Sequence, residues 1–355
     1  IAALLRGQPE RVPNRLPRES FGSAILAGIR YVSLSPNLTT VLFRSFLFGL
    51  AAVAVLALLP SVASDYVGGG ALSYGTLLGS FGVGAIGGAF FNGRIREQFS
   101  NELIVRFACV GFALACAGLG SSRDLVLSHL MLLPAGFCWV LTMSLFNVSI
   151  QLSSPRWVVG RALSLYQTAT FGGMALGSWL WGLGADAAGP GWALTMAAVV
   201  LLSCALVGLR LPLPQFEQRD LGPLNTFNEP VLRLDLTPRS GPIMIMVDYR
   251  IDQADIPRFL ALMTDRRRIR LRDGARQWAL LRDLAEPDLW VESYHVPTWV
   301  DYVRHNLRRT KADAENFQQL RALHRGDDVP FVHRMIERQT VPRDDETPLR
   351  GAPDV

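Results

Sequence analysis

Long apolar runs alternate with short polar breaks along the first two thirds of the chain. The last third is charged, with strand-like alternation and helix-like spacing. Six runs reach the ~20 residues that a helix needs to cross a bilayer: Leu38–Leu59, Ala71–Phe91, Leu103–Gly120, Leu125–Ile150, Ala162–Gly184 and Trp192–Leu211. Lipid offers no partners to backbone N–H and C=O groups, so each run is expected to be helical. Ahead of them, Glu19–Leu34 carries apolar residues at helical spacing and predicts an amphipathic helix on the membrane surface, or a linker helix between two halves. Leu211–Pro242 holds six prolines and no period, which marks a linker. Beyond it, strands are expected at Ile243–Ile251, Gln277–Asp283, Leu289–Val296 and Phe331–Arg338. Helices are expected at Ile256–Arg272 and, as one long element, at Trp299–Arg325. The order βαββαβ predicts a small α+β domain of ferredoxin-like fold.

The expected organisation is therefore an all-α membrane bundle of six helices plus this α+β domain. A loop with its amphipathic helix occupies 1–36, six spans 37–212, a linker 213–242, the ferredoxin-like domain 243–340 and a disordered tail 341–355.

Composition agrees with two regions in two solvents: half the 355 residues are apolar, yet 18% are charged, nearly all outside the runs. The basic residues are almost all Arg, with Lys311 the single Lys. A formal charge of +5 spread over loops is the pattern of a membrane protein and predicts no nucleic-acid partner. Cys109, Cys116, Cys138 and Cys204 sit inside apolar runs without CxxC or histidine neighbours, so no metal, cofactor or disulfide is expected. The chain opens on IAALL without an initiator Met, as if an apolar helix continued from a longer protein.

Basic residues orient the spans. Arg6, Arg11, Arg15, Arg18 and Arg30 precede the first, Arg94 and Arg96 separate the second and third, Arg156 and Arg161 the fourth and fifth, and Arg210 ends the sixth. The alternate loops hold only Arg123. The Arg-bearing side is expected to be the cytoplasm, with the C-terminal domain on it and the spans in a bacterial inner membrane.

Polar groups inside a membrane are costly, which makes them candidates for a cargo path. Arg44 lies two turns into the first run, Asn147 and Gln151 share one face of the fourth, and Tyr166 and Gln167 lie in the fifth. Helix-to-helix hydrogen bonds, or snorkelling of Arg44 to the headgroups, is the structural alternative. Gly173, Gly177, Ser178 and Gly182, like Gly82, Gly84, Gly87 and Gly88, are small residues spaced to let helices approach closely. The second and fifth runs also match at an offset of 91 residues, pairing Gly82 with Gly173, as nested repeats would. No Asp or Glu lies deep in a run, and His129 is the one titratable candidate there.

These residues carry a resemblance. NVSIQLSSPRWVVGRALSLYQTATFGGMALGSWLWG, with Asn147, Gln151, Pro155, Gly160, Arg161, Tyr166, Gln167, Gly177 and Gly182, resembles the second half of the major facilitator superfamily. More narrowly it resembles the enterobactin exporter-like transmembrane secretion effector group. GVGAIGGAFFNGRIREQFS resembles that group's loop after the eighth helix, with Gly84, Gly88 and Arg94. GPIMIMVDYRID, RRIRLRDGARQW, VESYHVPTWVDYVRH and RRTKAD resemble its soluble extension, which is similar to antibiotic-biosynthesis monooxygenases that pair as dimeric barrels. The resemblance implies helices seven to twelve of a twelve-helix transporter, a missing N-terminal six-helix half as partner, and gating or packing roles for Gly84, Gly88, Arg94, Pro155, Arg161, Gly173, Gly177 and Gly182.

In the soluble domain, Glu292 and His295 near one strand end, and His305, Arg308 and Arg309 on the second helix, form a candidate pocket for an anion or a proton. A solvated helix face with structural ion pairs is the alternative. No nucleophile–base pair, metal spacing or phosphate loop is visible. The leading expectation is a secondary-active exporter, an antiporter-type carrier of a small hydrophobic or amphiphilic molecule, with lipid and cargo as partners. Next comes a homodimerising or ligand-binding C-terminal module, and then a membrane-tethered monooxygenase-like enzyme.

Overall fold

The computed structural model describes residues 16–17, 19–215, 220–224, 226–326 and 329–337. The opening IAALL, Arg6, Arg11, Arg15, Arg18 and the tail expected at 341–355 lie outside the described residues. Residues Tyr31–Leu221 form one compact unit, and the chain from Gly222 together with the described residues before Tyr31 forms the other.

The first unit is helical. A short helix α1 (Phe21–Ser33) begins among the residues of the other unit and enters this one at Tyr31; the unit's own helices are α2 (Pro36–Ser61), α3 (Ala71–Gln98), α4 (Asn101–Ser121), α5 (Leu125–Leu152), α6 (Val159–Ala188) and α7 (Pro190–Arg210). Starts follow local chemistry. Pro36 and Pro190 occupy first-turn positions, where a missing N–H costs nothing. The Asp124 carboxylate accepts the Leu127 N–H at 2.9 Å to cap α5. Pro60 lies inside α2, which ends as a turn of π-helix over Val62–Tyr66.

Five of these helices have the length and apolarity to cross a membrane, where the apolar runs predict six. The exception is α6. It is long enough, but Arg161, Ser164, Tyr166, Gln167, Thr168 and Thr170 crowd its first half and lower its hydropathy.

Helix α2 packs along α6, α3 along α5, and α4 along α7. Glycines set the first two pairings. A Cβ on Gly173 or Gly177 of α6 would come closer than 3.0 Å to the Phe46 or Leu50 carbonyl of α2, and one on Gly49 would meet the Thr170 carbonyl. The same contacts recur between α3 and α5: Gly84 on the Leu133 carbonyl, Gly88 on Phe137, Gly136 on Phe81. Glycines are required at these six seats because backbone approaches backbone directly. The repeat therefore pairs Gly84 with Gly173 and Gly88 with Gly177, an offset of 89 residues rather than 91. Gly82, the partner expected for Gly173, meets nothing within 4 Å. Gly182 meets nothing either, which corrects its expected part in helix packing: it points away from the α2 seam. At the centre of the unit Phe48 packs against Phe112, Trp139 and Phe146.

The second unit holds β1 (Ile243–Arg250), α8 (Ile256–Asp273), β2 (Arg276–Arg282), β3 (Leu289–Val296), α9 (Trp299–Leu307), α10 (Lys311–Leu323) and β4 (Val332–Ile336). The sheet order is β2-β3-β1-β4, antiparallel throughout. Alternation sends Ile243, Ile245, Val247 and Tyr249 of β1 into the core, against Phe259 and Met263 of α8 and Leu320 and Leu323 of α10. Gly274, at φ +120°, ends α8. The single helix expected over Trp299–Arg325 is two. Thr310 and Asp313 form a capping box that starts α10, and the hydroxyl and carboxylate that satisfy those N–H groups also interrupt the helix before it.

Candidate functional site

Along α5 and α6 a groove of about 460 Å³ is lined by Trp139, Met143, Ser144, Asn147, Val148, Tyr166, Gln167, Thr170, Phe171 and Met174. Three of the five cargo-path candidates, Asn147, Tyr166 and Gln167, line it together. Gln151 is exposed one turn beyond and donates to the Asn147 amide oxygen. Tyr166 is buried and its hydroxyl donates to the Met143 carbonyl at 3.2 Å, which fixes the ring as one wall. The side chain of Gln167 is exposed, so its amide is free to meet a ligand. The groove therefore offers amides beside Trp139, Phe171 and two methionines, a surface suited to an apolar body with a few polar groups.

Arg44 is elsewhere. It is buried and forms an ion pair with Glu102 of α4, while also donating to the Leu211 carbonyl at 3.3 Å. Glu102 in turn accepts Arg106 Nε at 3.1 Å and the Leu213 N–H at 2.9 Å, and Arg106 donates to the Gly208 carbonyl at 3.2 Å. Two guanidinium groups thus meet the carbonyl end of α7, where cations are favoured, and one carboxylate balances them. The third apolar run begins at Leu103, just past Glu102, but the helix starts at Asn101 and buries that carboxylate.

The other expected positions fall as follows. Gly84, Gly88, Gly173 and Gly177 hold the two helix seams described above. Pro155 is buried, and its carbonyl accepts from Val158 and Val159 at the start of α6. Arg161 is partly buried and Arg94 exposed. His129 takes a 2.7 Å hydrogen bond with Ser80, joining α5 to α3, and Asn92 donates to Ser144 at 2.8 Å across the same pair.

In the α+β unit, Glu292 of β3 is fully buried beneath α8. Arg270 reaches it at 3.0 Å and Arg266 at 3.5 Å, while Trp278 Nε1 donates to it at 3.1 Å and Tyr249 at 3.4 Å. Burial alone would raise the Glu292 carboxyl, but Arg270, Arg266 and the hydrogen bonds overcome it and hold it at about 2. Arg270 also lies 3.0 Å from His305 Nε2. Guanidinium has no acceptor, so Nε2 accepts, and the ring is neutral with its proton on Nδ1. Burial and the guanidinium groups of Arg270 and Arg309 likewise push His305 well below its ordinary value. Arg309 joins this cluster, partly exposed. His295 does not: β3 alternation turns it to the opposite face, beside Met244 of β1. Sequence reasoning missed Arg266, Arg270, Tyr249 and Trp278, because one Arg among the many of α8 carries no signal until a buried carboxylate selects it. Among the described residues no group of His, Cys, Asp and Glu is arranged to hold a metal ion.

No curated protein matches. Among solved structures the chain is similar to a conserved protein from Methanosarcina mazei Go1, at 13% identity over 28% of this chain and 97% of that one, with a TM-score of 0.25. The family model described as transmembrane secretion effector matches residues 1–341. With five apolar helices of spanning length and that match across nearly its whole length, the chain belongs to the transmembrane secretion effector family of multi-pass membrane transporters.

Proposed function

We propose that the chain is the cargo-handling half of a secondary-active exporter for small hydrophobic or amphiphilic molecules. The α5–α6 groove carries this reading, because it joins Asn147 and Gln167 to an aromatic and methionine wall. In this reading α6 is also a span, the fifth of six. It tolerates its polar residues because that face lines a path and not lipid. A second six-helix unit supplies the opposite wall, and the two rock to expose cargo alternately. The Arg-bearing loops and the C-terminal domain lie in the cytoplasm of a bacterial cell, and Gly84, Gly88, Gly173 and Gly177 are the seams along which the helices move. Drug accumulation in cells carrying the intact gene tests this. Asn147→Leu and Gln167→Leu are expected to raise accumulation of some compounds in a broad panel, and unchanged accumulation in both would count against the groove.

The domain boundaries belong to the same proposal: a loop to 36, membrane helices to 212, a linker to 242 and a ferredoxin-like domain to 340. The strand order β2-β3-β1-β4 supports that fold and, with it, a monooxygenase-like ancestry. The sheet face opposite the helices presents Met244, Met246 and Met335 in adjacent register, a surface that favours a homodimer over a catalytic site. Sedimentation of the whole protein in detergent separates dimer from monomer.

A further inference from the structure

The α+β unit contains two neighbouring clusters of charge, and they are built differently. Around Asp273, Arg272 binds both Asp273 at 3.0 Å and Asp313 at 2.7 Å, and Arg304 and Arg308 both reach Glu19. Arg304 also meets Asp301 at 3.6 Å. Acids and guanidinium groups are matched there. Around Glu292 they are not. Arg266 and Arg270 bring two positive charges to a single carboxylate, His305 beside Arg270 is neutral, and Arg309, one turn beyond His305, adds a third positive charge and no acid.

Glu292 is already committed to Arg270, Arg266, Trp278 and Tyr249. Arg270 is further engaged by His305 and by the face of Tyr294, 4.4 Å away. Arg266 stacks over Phe317 of α10 at 5.5 Å. Arg309 has no carboxylate within ion-pair distance among the described residues. Burial, then Arg270 and Arg266, push it down to about 10, so it remains charged at neutral pH. The phenols near it, Tyr294 and Tyr302, offer hydroxyl groups and no counter-charge. An unmatched cation next to two others in a protein interior is costly unless an anion joins them.

Access and rigidity both favour a ligand here. Arg266 and Arg270 are each 3% exposed, whereas Arg309 is only partly buried, so solvent reaches it and not them. Its backbone is held on both sides: its N–H donates to the Asn306 carbonyl at 3.4 Å, and its carbonyl accepts from Leu224 at 2.9 Å. The planar guanidinium fork on that fixed backbone matches the paired oxygens of an oxyanion.

We infer that Arg309, backed by Arg270 and Arg266 under the junction of α9 and α10, binds an oxyanion, a phosphate or carboxylate group, and makes the α+β unit an anion-responsive module. The excess charge is filled by the ligand and not by the fold. The site is independent of the α5–α6 groove, so it stands whether or not that groove carries cargo.

Thermal unfolding of the full chain in detergent, followed by tryptophan fluorescence, tests it. Inorganic phosphate or acetate is added at constant ionic strength made up with sodium chloride. The wild type is expected to gain a saturable rise in midpoint with at least one of the two anions. Arg309→Gln is expected to need about tenfold more anion for the same rise, while Arg268→Gln on the exposed face of α8 keeps the wild-type response. A response to phosphate alone assigns a phosphate ligand, and one to acetate assigns an organic acid. If Arg309→Gln does not fold, Arg309→Lys keeps the charge, loses the fork and is expected to weaken the response. A wild type that answers both anions as it answers chloride overturns the inference, as does an Arg309 variant with an unchanged response.

Discussion

Arg44 on α2 and Glu102 on α4 form an ion pair inside the helical unit, 58 residues apart in sequence, and the same carboxylate holds the chain leaving α7 through Leu213. Removing one partner leaves the other charged and buried. Glu102→Gln is expected to destabilise the helical unit by about 3–5 kcal/mol, the scale measured for broken buried pairs. Arg44→Met with Glu102→Leu is expected to cost less than Glu102→Gln alone. Differential scanning calorimetry in detergent compares them, and a double variant that is the least stable would contradict the pairing.

The glycine seams predict a positional contrast. Gly173→Ala and Gly84→Ala force a methyl into a backbone carbonyl of α2 or α5 and are expected to lower stability and expression. Gly182→Ala has open space around it and is expected to be neutral or to stabilise α6 by up to about 1 kcal/mol through helix propensity. Equal loss in all three would mean that the seams do not depend on close approach.

Two buried groups make the α+β unit acid-labile. His305 titrates well below its ordinary 6.5 in the folded protein, so the unfolded chain takes up its proton first, and stability falls as pH drops below about 6.5. Glu292 is held at about 2 against an ordinary 4.5. Its contribution is fully present above pH 4.5 and is lost as pH falls towards 2, about 3 kcal/mol in all. Unfolding midpoints measured from pH 7.5 to 3 should show both limbs. His305→Phe is expected to remove the upper one, and a profile that stays flat between pH 6.5 and 5 would contradict a neutral buried His305.

Thr310 separates α9 from α10. Thr310→Ala removes a side-chain acceptor for the Asp313 N–H and is expected to cost about 1 kcal/mol. Thr310→Ser keeps the hydroxyl and is expected to cost much less. Chemical denaturation of the full chain distinguishes the two, and equal losses would place the effect in the methyl group instead.

Local pattern was enough for some of this protein. A run of apolar residues becomes a long helix wherever it lies, and alternation marks a strand in any sheet, so α2 to α7 and β1 to β4 are legible in sequence, β3 to the residue. Asn147, Tyr166 and Gln167 stand out in the sequence as polar residues within apolar runs, but their meeting in one groove is a contact between α5 and α6 that spacing along either helix does not give. Other features needed the third dimension. Amphipathic spacing continues past Thr310, and only the cap chemistry divides the helix there. Similarity of composition aligned Gly82 with Gly173, but only packed backbones show that Gly84 sits in the equivalent seat. Arg44 looked like a polar residue facing a path until Glu102 arrived beside it, and Glu292 drew Arg266 and Arg270 out of an α8 face rich in arginine. Periodicity is a property of neighbours along the chain, whereas the partner of a buried charge is chosen by proximity in the folded state, which residues far apart in sequence supply.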